Sequence, residues 1–284
     1  KAQLPLLKDN LLFVIGLGLL LVGVSFKIAA FPFHSYAPDV YEGAPATISG
    51  FFSSLGKVSA FGLLILISIS LIDKDADRVK EVLIFISIAS MIIGSLVAIV
   101  QKNIKRMLAY SSISHAGYIL IGIITHSAYG YSAVLYYSIV YIVMQISAFG
   151  IVALVEDENG GQIKISDYNG LSHKNPLVAF FMSVMMLSLA GIPPFGGFFG
   201  KYYIFMSAIQ ADLTWLAIIG AIVSVVSVYF YLNVIQAMYF KETKETVKIN
   251  CTHNEIAAFI LAGITLLLTG LLPDSLIKTL TGIF

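Results

Sequence analysis

Three lysines lie inside apolar runs of this sequence, where a charged side chain is costly. Lys27 falls within "LLFVIGLGLLLVGVSFKIAAF" (11–31), and Lys57 and Lys201 fall within "FFSSLGKVSAFG" and "GGFFGKYYIF". The other basic residues fall in loops or at the edges of apolar runs, as do all the Asp and Glu residues. The three lysines therefore have no obvious acidic partner at the same depth.

The depth of these lysines decides between a functional and a merely structural reading. A lysine at the centre of a membrane helix costs roughly 2.5–3.5 kcal/mol on insertion scales. Lys57 lies about eleven residues into its run, roughly 16 Å along a helix, which is too deep for its amine to snorkel easily to the interface. Snorkelling stays open as an alternative for all three, more so for Lys27 and Lys201.

Buried amines of this kind suit proton transfer. Desolvation favours the neutral form of an amine, so a buried lysine can release and regain a proton, and a nearby positive charge promotes release. A row of buried lysines can therefore act as a proton wire. A metal site is disfavoured, because an ammonium group has only hydrogen-bond donors and no free lone pair.

Candidate relays lie between the lysines. His115, in "LAYSSISHAGYILIGI" (108–123), stands near the centre of its run with Ser112 and Tyr118 beside it. Histidine titrates near neutral pH and can pass protons through both ring nitrogens, although it can also simply pack. Ser112, Tyr118 and His34 are weaker relay candidates. The remaining histidines are expected to be solvated in loops: His126, His173 and His253.

The composition indicates a membrane protein. The chain has 284 residues, of which 58% are hydrophobic and 12% charged, and its mean hydropathy is +0.90. Soluble domains average about 25% charged residues, so a soluble enzyme is excluded. One cysteine, Cys251, allows neither an internal disulfide nor a thiolate metal cluster. A net charge of +1 argues against nucleic acid as a partner.

An all-α polytopic fold is predicted, with about eight spans of the length that a bilayer requires. The first and sixth apolar runs are too long for one crossing and contain Pro32 and "GIPPFGG" (191–197) respectively. Proline breaks a helix, so we predict discontinuous helices near 28–33 and at Pro193 and Pro194. Broken helices line wet cavities or pack inside protein, and two of them are typical of a transport site. The expected spans are 11–41, 46–71, 82–100, 105–125, 130–155, 176–210, 213–239 and 255–280.

The loops alternate between two sides of the membrane. The side that receives the loops near 42–45, 101–106, 156–175 and 241–254 carries the larger share of Lys and Arg. The positive-inside rule weakly assigns that side to the cytoplasm, which would place both ends of the chain on the other side.

Three motifs resemble a known family. "FKIAAFPFHSYAPDVYEGAPATISGFFSSLGKVSAFG", "NIKRMLAYSSISHAGYILIGI" and "LSLAGIPPFGGFFGKYYIF" occur in this order. They resemble the proton-pumping, antiporter-like membrane subunits of respiratory complex I. The stretch "PDVYEGAP" looks most like subunit N of NADH-quinone oxidoreductase, rather than subunits L or M or the multisubunit Na⁺/H⁺ antiporters.

The resemblance implies a fold of two inverted repeats, each with one broken helix. It places 11–71 at the end of the first repeat, 82–239 in the second and 255–280 as an extra C-terminal helix. It implies that family helices before the first span lie outside this chain. By the same resemblance, Lys27 and Lys201 are the lysines of the two half-channels, Lys57 connects them and His115 is the central relay.

The resemblance also implies partners and a location. Protons would move in response to NADH:quinone oxidoreductase chemistry in other membrane and peripheral subunits, with no redox centre here. Quinone, flavin and iron–sulfur clusters would belong to those partner subunits. A prokaryotic plasma membrane is favoured, and an organelle inner membrane or a thylakoid stays open.

One departure from the family and two alternatives remain. The family pairs its first-channel lysine with a glutamate on an earlier helix, so the partner of Lys27 is expected from outside this sequence.

The same lysines and helix breaks would suit a subunit of a Na⁺/H⁺ antiporter. A third reading is a scaffold subunit that pumps nothing, which the cost of three deep lysines disfavours.

Overall fold

A computed structural model describes residues 11–72, 77–159, 164–242, 249 and 251–284, and within these ranges the regular structure is helical. The first half holds α1 (Leu11–Lys27), α2 (Tyr36–Gly43), α3 (Ala46–Ser53), α4 (Leu55–Leu71), α5 (Asp77–Ile99) and α6 (Ile104–Ile124). The second half holds α7 (Ala128–Asn159), α8 (Leu171–Lys174), α9 (Pro176–Ala190), α10 (Gly196–Gln210), α11 (Thr214–Phe240), α12 (His253–Leu271) and α13 (Pro273–Thr281). A short 3₁₀ helix, Ile165–Tyr168, lies between α7 and α8.

Within the described residues, six segments are long and apolar enough to cross a bilayer: α3–α4 together, α5, α6, α7, α11 and α12. Two shorter apolar helices, α1 and α9, accompany them. Large apolar side chains cover much of the outer surface, as lipid or helices of other subunits would require. The all-helical, multi-pass membrane fold is therefore confirmed.

Helix α6 forms the centre of the bundle. In its most apolar stretch 94% of the residues are buried, against 28% for α12. Two glycines allow α5 and α6 to pack closely. A Cβ on Gly94 would lie 2.7 Å from the carbonyl oxygen of Tyr110, and a Cβ on Gly117 would lie 2.7 Å from that of Ser87. Small residues at such positions let helix backbones approach each other.

Both predicted helix breaks are present. Helix α1 ends at Lys27 and α2 begins at Tyr36, and helix α9 ends at Ala190 before α10 begins at Gly196. The first break is anchored by a neighbour, since the backbone N–H of Phe31 donates to Ser90 Oγ at 2.9 Å. Such contacts satisfy backbone groups that a helix would otherwise pair.

Two predicted spans are divided in ways that the apolar pattern does not show. The run 46–71 is interrupted at Ser54, whose hydroxyl donates to the carbonyl of Gly50 at 2.5 Å. A serine hydroxyl that bonds back to the i−4 carbonyl bends a helix. The predicted helix 255–280 is wrong as a single element, because it divides into α12 and α13 and Pro273 begins the second of them.

Ion pairs gather at the end of the bundle where α6 begins. Lys105, 3% exposed, lies 2.5 Å from Glu156 Oε1, and Glu156 Oε2 accepts from the backbone N–H of Ala46. Arg106 pairs with Asp39 and Glu42 in a more exposed position. Glu156 therefore connects the start of α3 to α6 and α7.

We expect Glu156→Ala to lower the free energy of unfolding by roughly 3 kcal/mol, because it leaves the Lys105 ammonium buried without a carboxylate and with the carbonyl of Ala44 as its remaining acceptor. Arg106→Ala removes better-solvated pairs and should cost less than about 1 kcal/mol. The measurement is the loss of helical circular dichroism on heating in detergent. Equal melting temperatures for the two variants would contradict this ranking.

Candidate functional site

Lys57 lies in the first turn of α4, just beyond the interruption at Ser54, and is 1% exposed. Its Nζ donates to the carbonyl oxygen of Ser112 at 2.9 Å and to Ser112 Oγ at 2.8 Å. Ser112 belongs to α6, and its own hydroxyl donates to the carbonyl of Ala109 at 2.7 Å. Ser112, one of the weaker relay candidates, therefore lies beside Lys57, and its role as a relay remains a prediction.

Lys201 lies in the second turn of α10 and is 4% exposed. Its Nζ donates to the carbonyls of Leu189 and Ala190 at 3.2 and 3.0 Å and to Ser224 Oγ at 2.9 Å. Three acceptors match the three donors of an ammonium group. The site is thus complete for the protonated form of Lys201.

The second helix break creates this site. The last carbonyls of a helix have no partner within it. At the end of α9 the N–H groups of Gly191 and Ile192 bond to the carbonyls of Ser188 and Leu187. The carbonyls of Leu189 and Ala190 are left to accept from the lysine.

His115 lies on α6 between the two lysine sites and is 2% exposed. Its Nδ1 is 2.6 Å from the hydroxyl of Tyr137, and its Nε2 is 2.9 Å from that of Tyr231. The Tyr231 hydroxyl also lies 2.7 Å from Ser111 Oγ. Each ring nitrogen therefore has a partner that can both donate and accept, so either neutral tautomer can form with both bonds intact.

One side of α6 connects the two lysines. Ser112, His115 and Tyr118 follow each other at intervals of three residues, so they rise by about 9 Å along the helix and stay on one side of it. Ser112 binds Lys57, and the Tyr118 ring lies 5.2 Å from Lys201 Nζ. Tyr118 does not bond to His115; their rings meet edge to face at 5.9 Å.

The lysines have only neutral hydrogen-bond partners. Across the described ranges, neither Lys57 nor Lys201 donates to a carboxylate; both donate to carbonyls and hydroxyls. Dipoles stabilise an ammonium less firmly than an opposite charge does. Such an environment suits an amine that must give its proton up.

Lys27 is placed differently from the expectation of a lysine inside a span. It is the last residue of α1 and is exposed on this chain, because α1 packs chiefly against α4. Pro32 and His34 lie in the turn that follows, where the His34 ring is 5.6 Å from that of Phe31. Lys27, Pro32 and His34 therefore lie apart from the polar side chains of α6 that contact Lys57 and Lys201. Their roles remain predictions.

The other histidines follow the expectation in two cases of three. His173 and His253 are exposed. The expectation for His126 is wrong, because its Nδ1 lies 3.0 Å from both Ser68 Oγ and the Tyr131 hydroxyl. A histidine at a helix end can be held by neighbouring helices that no local pattern shows.

Sequence reasoning missed three members of the site: Tyr137, Tyr231 and Ser224. Each stands in the middle of an apolar helix, where tyrosine and serine are also common as packing residues. A buried tyrosine hydroxyl needs a partner, and this need was the available signal. This signal does not identify which residue the partner is.

A family model described as NADH:quinone oxidoreductase/Mrp antiporter, transmembrane, matches residues 2–227. The chain belongs to this family. NADH-quinone oxidoreductase subunit N 1 of Chloroherpeton thalassium is 44% identical in an alignment of length 284 that covers 97% of this chain and 59% of that protein. Subunit N 1 of Rhizobium meliloti is 45% identical over 232 residues, 81% of this chain and 48% of that one. The chain thus spans about half to three-fifths of these relatives.

Solved structures of antiporter-like subunits have the same fold. A chain of respiratory complex I from Thermus thermophilus with bound Aureothin aligns with a TM-score of 0.84 and 34% identity, covering 96% of this chain and 60% of that one. A chain of the Mrp complex from Dietzia sp. DQ12-45-1b has a TM-score of 0.86 at 20% identity, covering 97% and 59%. The second likeness concerns the fold alone.

Gly191 offers a test of how the break holds Lys201. Its φ is +82°, and a Cβ there would lie 3.1 Å from Lys201 Nζ. Gly191→Ala should therefore destabilise the protein by about 1–2 kcal/mol, because an L residue is strained in this conformation. Gly16→Ala, in open space on α1, should leave the melting temperature almost unchanged. A melting temperature unaltered in the Gly191 variant would show that this turn is not constrained.

Proposed function

We propose that this chain translocates protons across the membrane as part of an NADH:quinone oxidoreductase assembly, driven by redox chemistry in other subunits. The observation that carries the proposal is the pair of buried lysines, Lys57 and Lys201, with His115 between them and only neutral partners around them. The family and the subunit N relatives support the assignment.

The contacts suggest how each residue takes part. Lys201, when protonated, has all its donors satisfied, and Ser224 is its only hydroxyl partner among the residues that the structure describes. Carbonyls accept hydrogen bonds but cannot pass a proton on, whereas a hydroxyl can take one and release its own. Ser112 has the corresponding position at Lys57. His115 can exchange protons with the hydroxyls on either side.

The redox steps belong, in this proposal, to partner subunits that hold quinone, flavin and iron–sulfur clusters. Within the described ranges, no group of three or more His, Cys, Asp or Glu side chains could hold a metal ion. The contribution of this chain is to keep protons in a dry environment and to move them between stated atoms.

A Na⁺/H⁺ antiporter subunit is the second candidate. The family description includes Mrp antiporters, and the Dietzia chain has the same fold. Hard cations favour oxygen ligands, carboxylates above all. The acidic residues described in contact with a cation form the ion pairs at the start of α6, away from the lysine sites. Protons are therefore the better-supported cargo.

Substitutions of Lys201 test the proposal in the whole complex. Lys201→Ala and Lys201→Arg should both abolish NADH-driven proton pumping in proteoliposomes, because arginine keeps the charge but does not release its proton. Native gels must show intact complex, and electron transfer from NADH to an artificial acceptor should be unchanged. Normal pumping by an assembled arginine variant would mean that only the charge matters, which favours the scaffold reading. Pumping that requires sodium would favour antiport.

Substitution of His115 tests the relay between the lysines. His115→Gln keeps a donor and an acceptor for the two tyrosines but cannot hold an extra proton. We expect pumping in the assembled complex to fall by about a hundredfold or more, the lower end of the range for losing a proton-transfer group. The exposed His173→Gln variant is the control and should pump normally. A fully active His115 variant would remove this residue from the path.

A further inference from the structure

The second helix break lies against the last turn of α12. A Cβ on Gly270 would overlap the carbonyl oxygen of Pro194, and a Cβ on Gly196 would overlap the hydroxyl of Thr269. Glycine on both sides thus lets the backbone of the break approach the backbone of α12 closely. We call residues 269–274, where α12 ends and α13 begins, the α12–α13 corner.

A hydrogen bond from α7 holds this corner. Pro273 has no N–H group to give to the carbonyl of Thr269, four residues earlier. The hydroxyl of Tyr136 donates to that carbonyl oxygen instead, at 2.5 Å. Tyr136 is fully buried, so the end of α12 is fixed inside the bundle by a side chain of another helix.

A second hydrogen bond ties the corner to α10. The hydroxyl of Tyr203 donates to Asp274 Oδ1 at 3.1 Å, and the Tyr203 ring meets the Tyr136 ring edge to face at 5.0 Å. Tyr203 follows Lys201 by two residues on the same helix. The corner therefore contacts the polypeptide on both sides of Lys201, at the break before it and at Tyr203 after it.

The Lys201 site depends on where the break lies. The carbonyl oxygens of Leu189 and Ala190 are 3.2 and 3.0 Å from Lys201 Nζ. A side-chain hydrogen bond is lost by about 3.6 Å, so a displacement of roughly half an ångström is enough to break these bonds. The turn from Ala190 to Pro194 is short, and the N–H of Ile192 bonds back to α9 within it. A displacement of Pro194 therefore reaches the two carbonyls.

We propose that the α12–α13 corner positions the second break for proton transfer, and that Gly270, Tyr136 and Tyr203 are positioning residues for Lys201. The inference rests on the proposed function, because it names what keeps the amine and its carbonyls in register. These three residues act through the break and through α10, and the proton does not pass through them.

Close packing alone is the competing explanation. Helix α12 also buries Gly263, two turns before Gly270 and on the same side. A Cβ on Gly263 would lie 3.7 Å from Phe181, which is an ordinary contact. A methyl group at position 263 therefore changes α12 without reaching the break, whereas one at position 270 must displace it.

The first test compares these two alanine variants in the assembled complex. Gly270→Ala should lower NADH-driven proton pumping per complex at least about tenfold, the rate equivalent of losing a hydrogen bond to a charged group. Gly263→Ala should pump as the wild type does. The number of protons moved per electron should fall in Gly270→Ala, because a loss of stability alone reduces the amount of complex and not this ratio. A wild-type ratio in an assembled Gly270→Ala complex would overturn the proposal.

Milder variants decide the question if Gly270→Ala does not assemble. Tyr136→Phe and Tyr203→Phe each remove one hydrogen bond of the corner and keep the ring, so the protons moved per electron should fall roughly two- to tenfold. Tyr202→Phe, at an exposed position of α10, is the matched control and should leave the ratio unchanged. A reduced ratio in either corner variant supports the proposal, and wild-type ratios in both contradict it.

The position of the break is a third readout, and it does not depend on pumping. Electron cryomicroscopy of the Gly270→Ala complex should show Pro194 displaced and the carbonyl of Leu189 or Ala190 beyond hydrogen-bond distance of Lys201 Nζ. If this variant does not assemble, Tyr136→Phe takes its place. A break that has not moved would refute the positioning role.

The two proposals fail in different ways. Loss of pumping in Lys201→Ala together with normal pumping in Gly270→Ala, Tyr136→Phe and Tyr203→Phe overturns the role of the corner while the proposed function stands. Normal pumping in Lys201→Ala overturns the proposed function, whatever the position of the break. Loss in Lys201→Ala and in the corner variants, with unchanged controls and a displaced break, is the result that we expect.

Discussion

The structure depends on holding an amine inside a membrane with no opposite charge beside it. An ammonium group there is tolerable only if every donor finds an oxygen. Lys201 meets this demand with two carbonyls that the end of α9 leaves free and one serine hydroxyl. The helix break therefore supplies part of the site that holds Lys201. Lys57, in the first turn after the interruption at Ser54, places two of its three donors on the carbonyl and the hydroxyl of Ser112.

Helix α6 connects the Lys57 and Lys201 sites to each other. It is the most buried of the spanning helices, and the glycine contacts with α5 bring the two backbones together. Its residues Ser112, His115 and Tyr118 face Lys57, two tyrosine hydroxyls and Lys201 in turn. A helix on the surface could not serve this purpose, because its polar side chains would be exposed to lipid. Burial on all sides allows a polar side chain at each turn without that cost.

The basic side chains lie in two regions of the bundle, one where they pair with carboxylates and one where they bind neutral groups. Lys105 and Arg106 meet carboxylates at the start of α6, where ion pairs connect α6 to α2 and α7, and Glu156 also accepts from the backbone N–H of Ala46 in α3. In the part of the chain that the structure describes, Lys57 and Lys201 hydrogen-bond only to neutral carbonyls and hydroxyls. A carboxylate beside Lys57 or Lys201 would stabilise the ammonium form and oppose the loss of its proton. The proposed function requires that loss, and the dipolar surroundings of the two lysines are compatible with it.

The sequence alone was enough to predict the membrane fold and the two proline breaks, and to single out Lys57, Lys201 and His115, which are buried and whose roles remain predictions. Apolar length, proline chemistry and the cost of a buried charge are local properties that single residues reveal. The kink at Ser54, the division at Pro273 and the partners Tyr137, Tyr231 and Ser224 were decided by tertiary structure. The reason is that a hydroxyl in an apolar helix looks the same whether it packs or bonds. The neighbouring helices determine whether such a hydroxyl packs or forms a hydrogen bond. The packing of the helices also determines that Lys27 is exposed on this chain.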